Sequence, residues 1–194
     1  MKQKLLHKLN KRHGFSLTEM LATVLIMGFV GIIITTGAAT VQRVYRKVVA
    51  HANAQTALTT TITLMKDQLA FADPESIGGG SGTETGFENS QTIVFQNLNS
   101  GEQTITLNPG TANRGFTLTY SAAGTGTGTN TTLPLLSDSA ITSDLCVCFD
   151  GDGSGFSWDP ATKVITVTNL VAKDIRTDTV QAHASFKVLL VNGK

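Results

Sequence analysis

The chain has 194 residues, 41% of them hydrophobic, and its 15 Lys and Arg residues nearly balance its 14 Asp and Glu residues. This balance does not favour a nucleic-acid partner, because binding to phosphate depends on an excess of positive charge. The sequence has no nucleophile elbow, phosphate loop, zinc motif or Ser-His-Asp arrangement, so we expect no enzyme and no cofactor, apart from the calcium ion considered below.

A basic leader precedes a long apolar stretch. Residues 1–14 contain five basic side chains and no acidic one, and residues 20–41 contain no charged side chain. A helix of about 20 residues crosses the roughly 30 Å hydrocarbon core of a bilayer, so the apolar stretch predicts a membrane-spanning segment. The positive leader predicts that the N-terminus lies in the cytoplasm and the C-terminal body outside.

The order of these segments differs from that of an ordinary secretory signal, which carries its apolar run before the cleavage site. Here the plausible cleavage site precedes the apolar run, so the run would remain in the mature protein. The residues at this junction are Gly14-Phe15-Ser16-Leu17-Thr18-Glu19-Met20-Leu21.

This junction, with the apolar stretch behind it, resembles the N-terminus of type IV pilins and of the pseudopilins of type II secretion. The resemblance implies that a prepilin peptidase cleaves between Gly14 and Phe15, and that the new Phe15 amine is methylated. It also implies that the subunit leaves the inner membrane through a pilus or secretion assembly platform and joins other pilin or pseudopilin subunits in a filament at the cell surface. Loss of the leader leaves ten basic and fourteen acidic residues, a formal charge of −4, which again does not favour nucleic acid.

Glu19 is the single carboxylate at the start of the apolar run, and two interpretations of it remain open. It could lie in the headgroup layer, where the positive end of the helix dipole favours a negative charge. In the pilin interpretation it neutralises the free Phe15 amine of a neighbouring subunit, and it is then the residue that directs assembly.

The helix is predicted to continue beyond the membrane. Residues at helical spacing form one stripe, and Pro74 forbids further helix. The stripe consists of Val41, Val44, Val48, Gln55, Leu58, Ile62, Met65 and Leu69. We therefore predict a helical region of residues 15–73, with one continuous helix from about Phe15 to Phe71 whose outer half packs against a sheet. The alternative is a coiled-coil stalk, but polar Gln55 and the short run of heptads argue against it.

Residues 74–194 have the composition of a β-rich globular domain. Two glycine-rich stretches, Gly78–Thr83 and Gly124–Asn130, are predicted as flexible loops. Six short alternating or apolar runs predict a single antiparallel sheet of four to six strands, at residues 92–98, 102–107, 115–121, 144–149, 163–170 and 180–191. The predicted fold class is α+β, with a long N-terminal helix packed on a small sheet, as in pilins.

One glycine-rich segment allows two interpretations. Asp150, Asp152 and Ser154 alternate with glycine as in the first half of a calcium loop, and Phe156 would supply a backbone carbonyl. The glutamate that normally completes such a loop is absent, and Asp159 is the candidate substitute. The alternative is a tight hairpin turn between two strands, since Asp-Gly is a favoured turn pair.

Cys146 and Cys148 are the only cysteines. Two residues apart on a strand, they face the same way with Cα atoms about 7 Å apart, at or past the limit for a disulfide. We predict two small buried apolar side chains. Outside the leader only His51 and His183 remain as histidines, and neither has metal-ligand spacing, so no cysteine metal site is predicted.

The sequence therefore predicts a structural subunit, a pilin, minor pilin or pseudopilin, that is processed and then polymerised. One alternative is a monomeric extracellular β-domain held by an uncleaved membrane helix. A third possibility is an ordinary secreted domain cut between Gly37 and Ala39. The mature N-terminus distinguishes the three.

Overall fold

The computed structural model describes residues 16–79, 86–97, 103–109, 115–122, 130–137 and 144–191. These contain a long helix, α1 (Leu17–Ala70), a short 3-10 helix (Pro74–Ser76) and ten strands. The strands are β1 (Gly78–Gly79), β2 (Phe87–Ser90), β3 (Ile93–Gln96), β4 (Gln103–Pro109), β5 (Phe116–Ala122), β6 (Thr131–Pro134), β7 (Leu145–Phe149), β8 (Gly155–Asp159), β9 (Val164–Asp174) and β10 (Thr179–Leu189). The architecture is α+β, as predicted.

The chain divides into two units, residues 1–47 and 48–194. In the first unit, every described residue is exposed. Its threonines satisfy their hydroxyl groups within the helix: Thr35 donates to the Gly31 carbonyl and Thr36 to the Ile32 carbonyl, both at 2.9 Å. By length and composition, α1 contains a segment apolar enough to cross a membrane.

In the second unit, α1 presents one face to a hydrophobic core. The buried residues recur at helical spacing: Ala54, Ala57, Leu58, Thr61, Met65 and Leu69. The predicted stripe is correct from Leu58 onward, whereas Gln55 is exposed and the buried position is Ala54. The one polar member is satisfied, since the Thr61 hydroxyl donates to the Ala57 carbonyl at 2.8 Å.

The helix ends at Ala70, just before the predicted stop. The Asp73 carboxylate accepts a hydrogen bond from the Glu75 N–H at 3.2 Å and caps the 3-10 helix that Pro74 begins. The Ala70 carbonyl, which has no partner within the helix, accepts the Val191 N–H at 2.9 Å. The end of α1 is thereby joined to the segment that follows β10.

The strands form two antiparallel sheets, so the prediction of a single sheet is wrong. Sheet 1 has the order β1-β3-β4-β5-β6, and sheet 2 has the order β10-β9-β8-β2, with β7 also paired to β9. Each of the six predicted runs contains a strand, but four strands fall outside them. Gly78 and Gly79, predicted as part of a flexible loop, pair with Val94 and Ile93 of β3.

Strand β9 organises sheet 2. One of its edges pairs with β10 over nearly its full length, and the other edge is shared. Residues 164–168 pair with β8, and residues 170–174 pair with β7. Strands β7 and β8 therefore run in the same direction along one edge of β9. The segment between them, residues 150–154, loops out from that edge and is called the excursion below.

A single hydrophobic core joins the second half of α1 to both sheets. Three aromatic rings link the sheets near its centre: Phe116 of β5, Phe149 of β7 and Phe156 of β8. Their centroids are 5.0 to 6.3 Å apart and the rings meet edge to face, a favoured geometry for aromatic pairs. This core fixes the ends of β7 and β8, and with them the excursion that carries the candidate calcium ligands.

Candidate functional site

The junction that carries the processing prediction lies at the start of α1. Gly14 and Phe15 lie outside the described residues. Ser16 immediately precedes the helix, and its carbonyl accepts the N–H groups of Glu19 at 3.0 Å and Met20 at 3.1 Å. Glu19 therefore occupies the third position of the helix, in the first turn, where the helix dipole favours its charge.

The surface behind Glu19 is apolar and uncovered. From Leu17 to Val49 every residue is exposed. Residues 20–41 of this range carry no charge and include large side chains such as Phe29, Ile33 and Ile34. Contiguous apolar surface of this extent is unfavourable in water and marks a contact with lipid or with other protein. Glu19 is the only carboxylate on this surface.

The glycine-rich segment, residues 150–154, forms the excursion between β7 and β8. Asp150 and Asp152 are exposed on it, while Ser154 is buried and donates its hydroxyl to the Gly151 carbonyl at 2.6 Å. Gly151 has φ +84° and Gly153 has φ +78°, conformations that suit glycine. The hairpin interpretation is wrong, because β7 and β8 run in the same direction.

The remaining two predicted calcium ligands lie on β8. Phe156 is buried among the aromatic rings, and Asp159 ends the strand. The Asp159 carboxylate accepts hydrogen bonds from the Thr162 hydroxyl at 2.7 Å and the Ala161 N–H at 3.0 Å, and these bonds lower its pKa. At about 3.3 Å per residue, the strand keeps Asp159 roughly 16 Å from Ser154, the last residue of the excursion. Asp150, Asp152 and Ser154 therefore lie on one short segment, and Asp159 lies at the far end of β8 from it.

Calcium binding stays a prediction, and the geometry limits its candidate ligands to the excursion, residues 150–154. Calorimetry with millimolar calcium is expected to give a heat that D150N/D152N abolishes, because removing two negative oxygen ligands removes most of the attraction for a hard cation. The control D159N is expected to retain that heat, because Asp159 lies at the other end of β8. Absence of heat in the unchanged chain would remove the calcium interpretation.

The two cysteines lie side by side on β7, with their Sγ atoms 4.0 Å apart. Both are free thiols; Cys146 is buried and Cys148 is half-buried. The hydrogen bond from Cys148 lowers the pKa of Cys146 to about 7, with a further contribution from the positive charge of Lys173. The same hydrogen bond and burial raise the pKa of Cys148.

A cavity of about 260 Å³ adjoins the thiols. Lys173 of β9 lies directly opposite Cys146 in the strand register, and its Nζ is 2.6 Å from an Asp178 carboxylate oxygen. This contact raises the pKa of Lys173. Sequence reasoning missed the proximity of Lys173 to the cysteines, since only the pairing of β7 with β9 brings Lys173 beside them.

Comparison with known proteins supports one part of the chain. Residues 9–35 match the family model described as the prokaryotic N-terminal methylation motif. This motif is the prepilin signature of type IV pilins and pseudopilins, so the predicted resemblance is confirmed. No curated protein and no solved structure matches the chain. The match ends within the first unit, and the sheets of the second unit contribute nothing to it.

Proposed function

We propose that this chain is a structural subunit of a type IV pilus-like filament, a pilin, minor pilin or pseudopilin. The observation that carries the proposal is the methylation motif at residues 9–35, followed by a helix in which residues 20–41 carry no charge and are all exposed. The motif implies processing by prepilin peptidase and assembly with other pilin subunits. In this proposal, cleavage falls between Gly14 and Phe15, and the Phe15 amine is then methylated.

The exposed apolar surface supports the proposal because it suits two successive environments. Before assembly, the lipid of the cytoplasmic membrane covers residues 20–41, with the leader inside and the second unit outside. After assembly, the equivalent helices of neighbouring subunits replace the lipid. Transfer from one apolar environment to another costs little hydrophobic free energy, so a small specific interaction is enough to direct it.

Glu19 is proposed to supply that specific interaction. A carboxylate surrounded by apolar helices is strongly unfavourable unless a positive group lies beside it. Cleavage after Gly14 creates such a group, the amine of Phe15, four residues before Glu19. A pair between Glu19 of one subunit and the Phe15 amine of its neighbour would fix the axial offset between them.

The N-terminal peptide of the protein recovered from membranes and from sheared filaments tests the proposal. Mass spectrometry is expected to find a peptide that begins at Phe15 and carries a methyl group. A peptide that begins at Met1 would instead indicate an uncleaved anchor for a monomeric β-domain, and one that begins near Ala39 would indicate a secreted domain. Either of the last two results would reject the filament proposal.

A further inference from the structure

The cavity beside β7 holds a pair of thiols that the proposed filament role does not use. Cys146 and Cys148 are the only cysteines of the chain, and both line the cavity together with Lys173 and Asp178. They project from the same face of one strand, with a sulfur-to-sulfur distance of 4.0 Å. Two thiols held at a fixed short distance can either join in a disulfide or share a metal ion.

Strand geometry opposes the disulfide. A disulfide needs the two sulfur atoms about 2.05 Å apart and the two Cβ atoms about 4 Å apart, whereas residues two apart on an extended strand have Cα atoms nearly 7 Å apart. All five residues of β7 are paired in register with residues 170–174 of β9. The strand therefore cannot shorten to close the bond without breaking its pairing.

The same distance suits one shared metal ion. Metal–sulfur bonds of about 2.3 Å place two thiolates roughly 3.8 Å apart at a tetrahedral angle and roughly 4.6 Å apart in a linear arrangement. The observed 4.0 Å lies between these limits, so small side-chain rotations are enough for either geometry. Sulfur ligands select soft metals such as Cu(I) or Zn²⁺ over Ca²⁺ and Mg²⁺.

The side chains near the two thiols favour Cu(I) over Zn²⁺. Within the described ranges, no group of three or more His, Cys, Asp and Glu side chains converges, so the four protein ligands typical of structural zinc are not assembled. Cu(I) is satisfied by two thiolates. The resulting complex carries one negative charge. The Lys173 ammonium lies opposite Cys146 in the register and offsets part of that charge, against the opposing charge of the Asp178 carboxylate that it contacts.

We propose that Cys146 and Cys148 form a two-coordinate thiolate site for Cu(I), with Lys173 stabilising the charge of the complex. On binding, the metal ion displaces the two thiol protons to solvent, and its oxidation state does not change. The site lies wholly in the second unit, so it stands whether or not the chain forms filaments.

Anaerobic titration of the full chain in detergent with Cu(I), against a chromogenic Cu(I) chelator, tests the proposal. One Cu(I) per chain is expected to be retained, with loss of reactivity of both thiols toward a thiol reagent. C146S and C148S are each expected to lower the affinity by about 100-fold or more, since loss of even an outer-shell partner costs 10- to 100-fold. K173M is expected to lower it by about tenfold, while K187M, which changes an exposed lysine of β10, should have no effect.

Three results would overturn the proposal. The first is Cu(I) binding by the double variant C146S/C148S that equals binding by the unchanged chain. The second is complete loss of the metal from the unchanged chain to the chelator. The third is isolation of the chain with Cys146 and Cys148 already oxidised. Should the buried serine of C146S prevent folding, C148S decides the question, because position 148 is half-buried. Trp158 fluorescence reports whether each variant is folded.

Discussion

Replacing Glu19 by Ala is expected to leave the subunit inserted in the membrane and cleaved at Gly14, but to lower filament yield by about 100-fold or more. The expected loss reflects the amine of Phe15, which would then be buried among apolar helices without a partner, at a cost of roughly 3–5 kcal/mol. Filament yield is measured by shearing cells and quantifying the sedimented subunit against the amount in the membrane.

A variant of the same helical turn provides the matched control. T18A removes a polar side chain one residue away without changing the charge, and it is expected to assemble normally. E19D, which retains the charge on a shorter side chain, should recover part of the yield. Normal filament yield from E19A would show that Glu19 merely lies in the headgroup layer, and it would reject the charge-pair proposal.

Replacing Gly155 by Ala is expected to destabilise the second unit by about 3 kcal/mol or more. Gly155 begins β8 with φ +144°, and a Cβ added there would lie 2.6 Å from the Ser90 carbonyl oxygen and 2.8 Å from the Asn89 carbonyl carbon. Both obstacles are backbone atoms of β2, so relief requires that β2 separate from β8. Urea unfolding of the full chain in detergent, followed by fluorescence of Trp158, the only tryptophan, measures the loss.

A variant at Gly153 distinguishes the two causes of this loss of stability, which are backbone strain and the close approach of β2. It also has positive φ, +78°, but no atom lies within 4 Å of its added Cβ. G153A is therefore expected to cost only the backbone strain, about 1 kcal/mol. Equal losses from G153A and G155A would show that strain alone is responsible, and that the close approach of β2 to β8 contributes nothing.

The helix could be predicted because its signals are local. Pro74 marks its end, and Leu58, Met65 and Leu69 lie on its buried face at the expected spacing. The first buried position was missed, because alanine at position 54 carries a weak hydrophobic signal beside the longer side chain of Gln55. Small size is what allows Ala54 to be completely buried at the start of the packed face.

The sheets were less predictable, because two of the missed strands, β1 and β6, have no hydrophobic alternation. All four residues of β6 are exposed, and β1 consists of two glycines. Strand β8 was not predicted, because its first residue, Gly155, is equally typical of a calcium loop or a turn. Nothing in the sequence indicates that β7 and β8 share one edge of β9, because that arrangement depends on pairing between distant segments.

The candidate sites also divide into those with a local sequence signal and those that depend on pairing between distant segments. Glu19 and its neighbours form a contiguous motif, so sequence alone located them, and the family model confirms the motif. The thiol pair was visible as two residues, but its charged neighbour was not, since Lys173 is distant in sequence and reaches Cys146 only through strand pairing. Asp159 illustrates the opposite error, because proximity in sequence suggested a shared loop that the extended strand β8 rules out.

The hydrogen bond between Ala70 and Val191 has a consequence for the kinetics of folding. It joins the end of α1 to the segment after β10, with all ten described strands between them in sequence, and contacts of such long range form slowly. The core cannot close until β10 has been synthesised and, in the proposed topology, has crossed the membrane. Until then the apolar strands are open to aggregation. In that topology, the membrane segment of α1 would retain each unfinished chain at the bilayer during that interval.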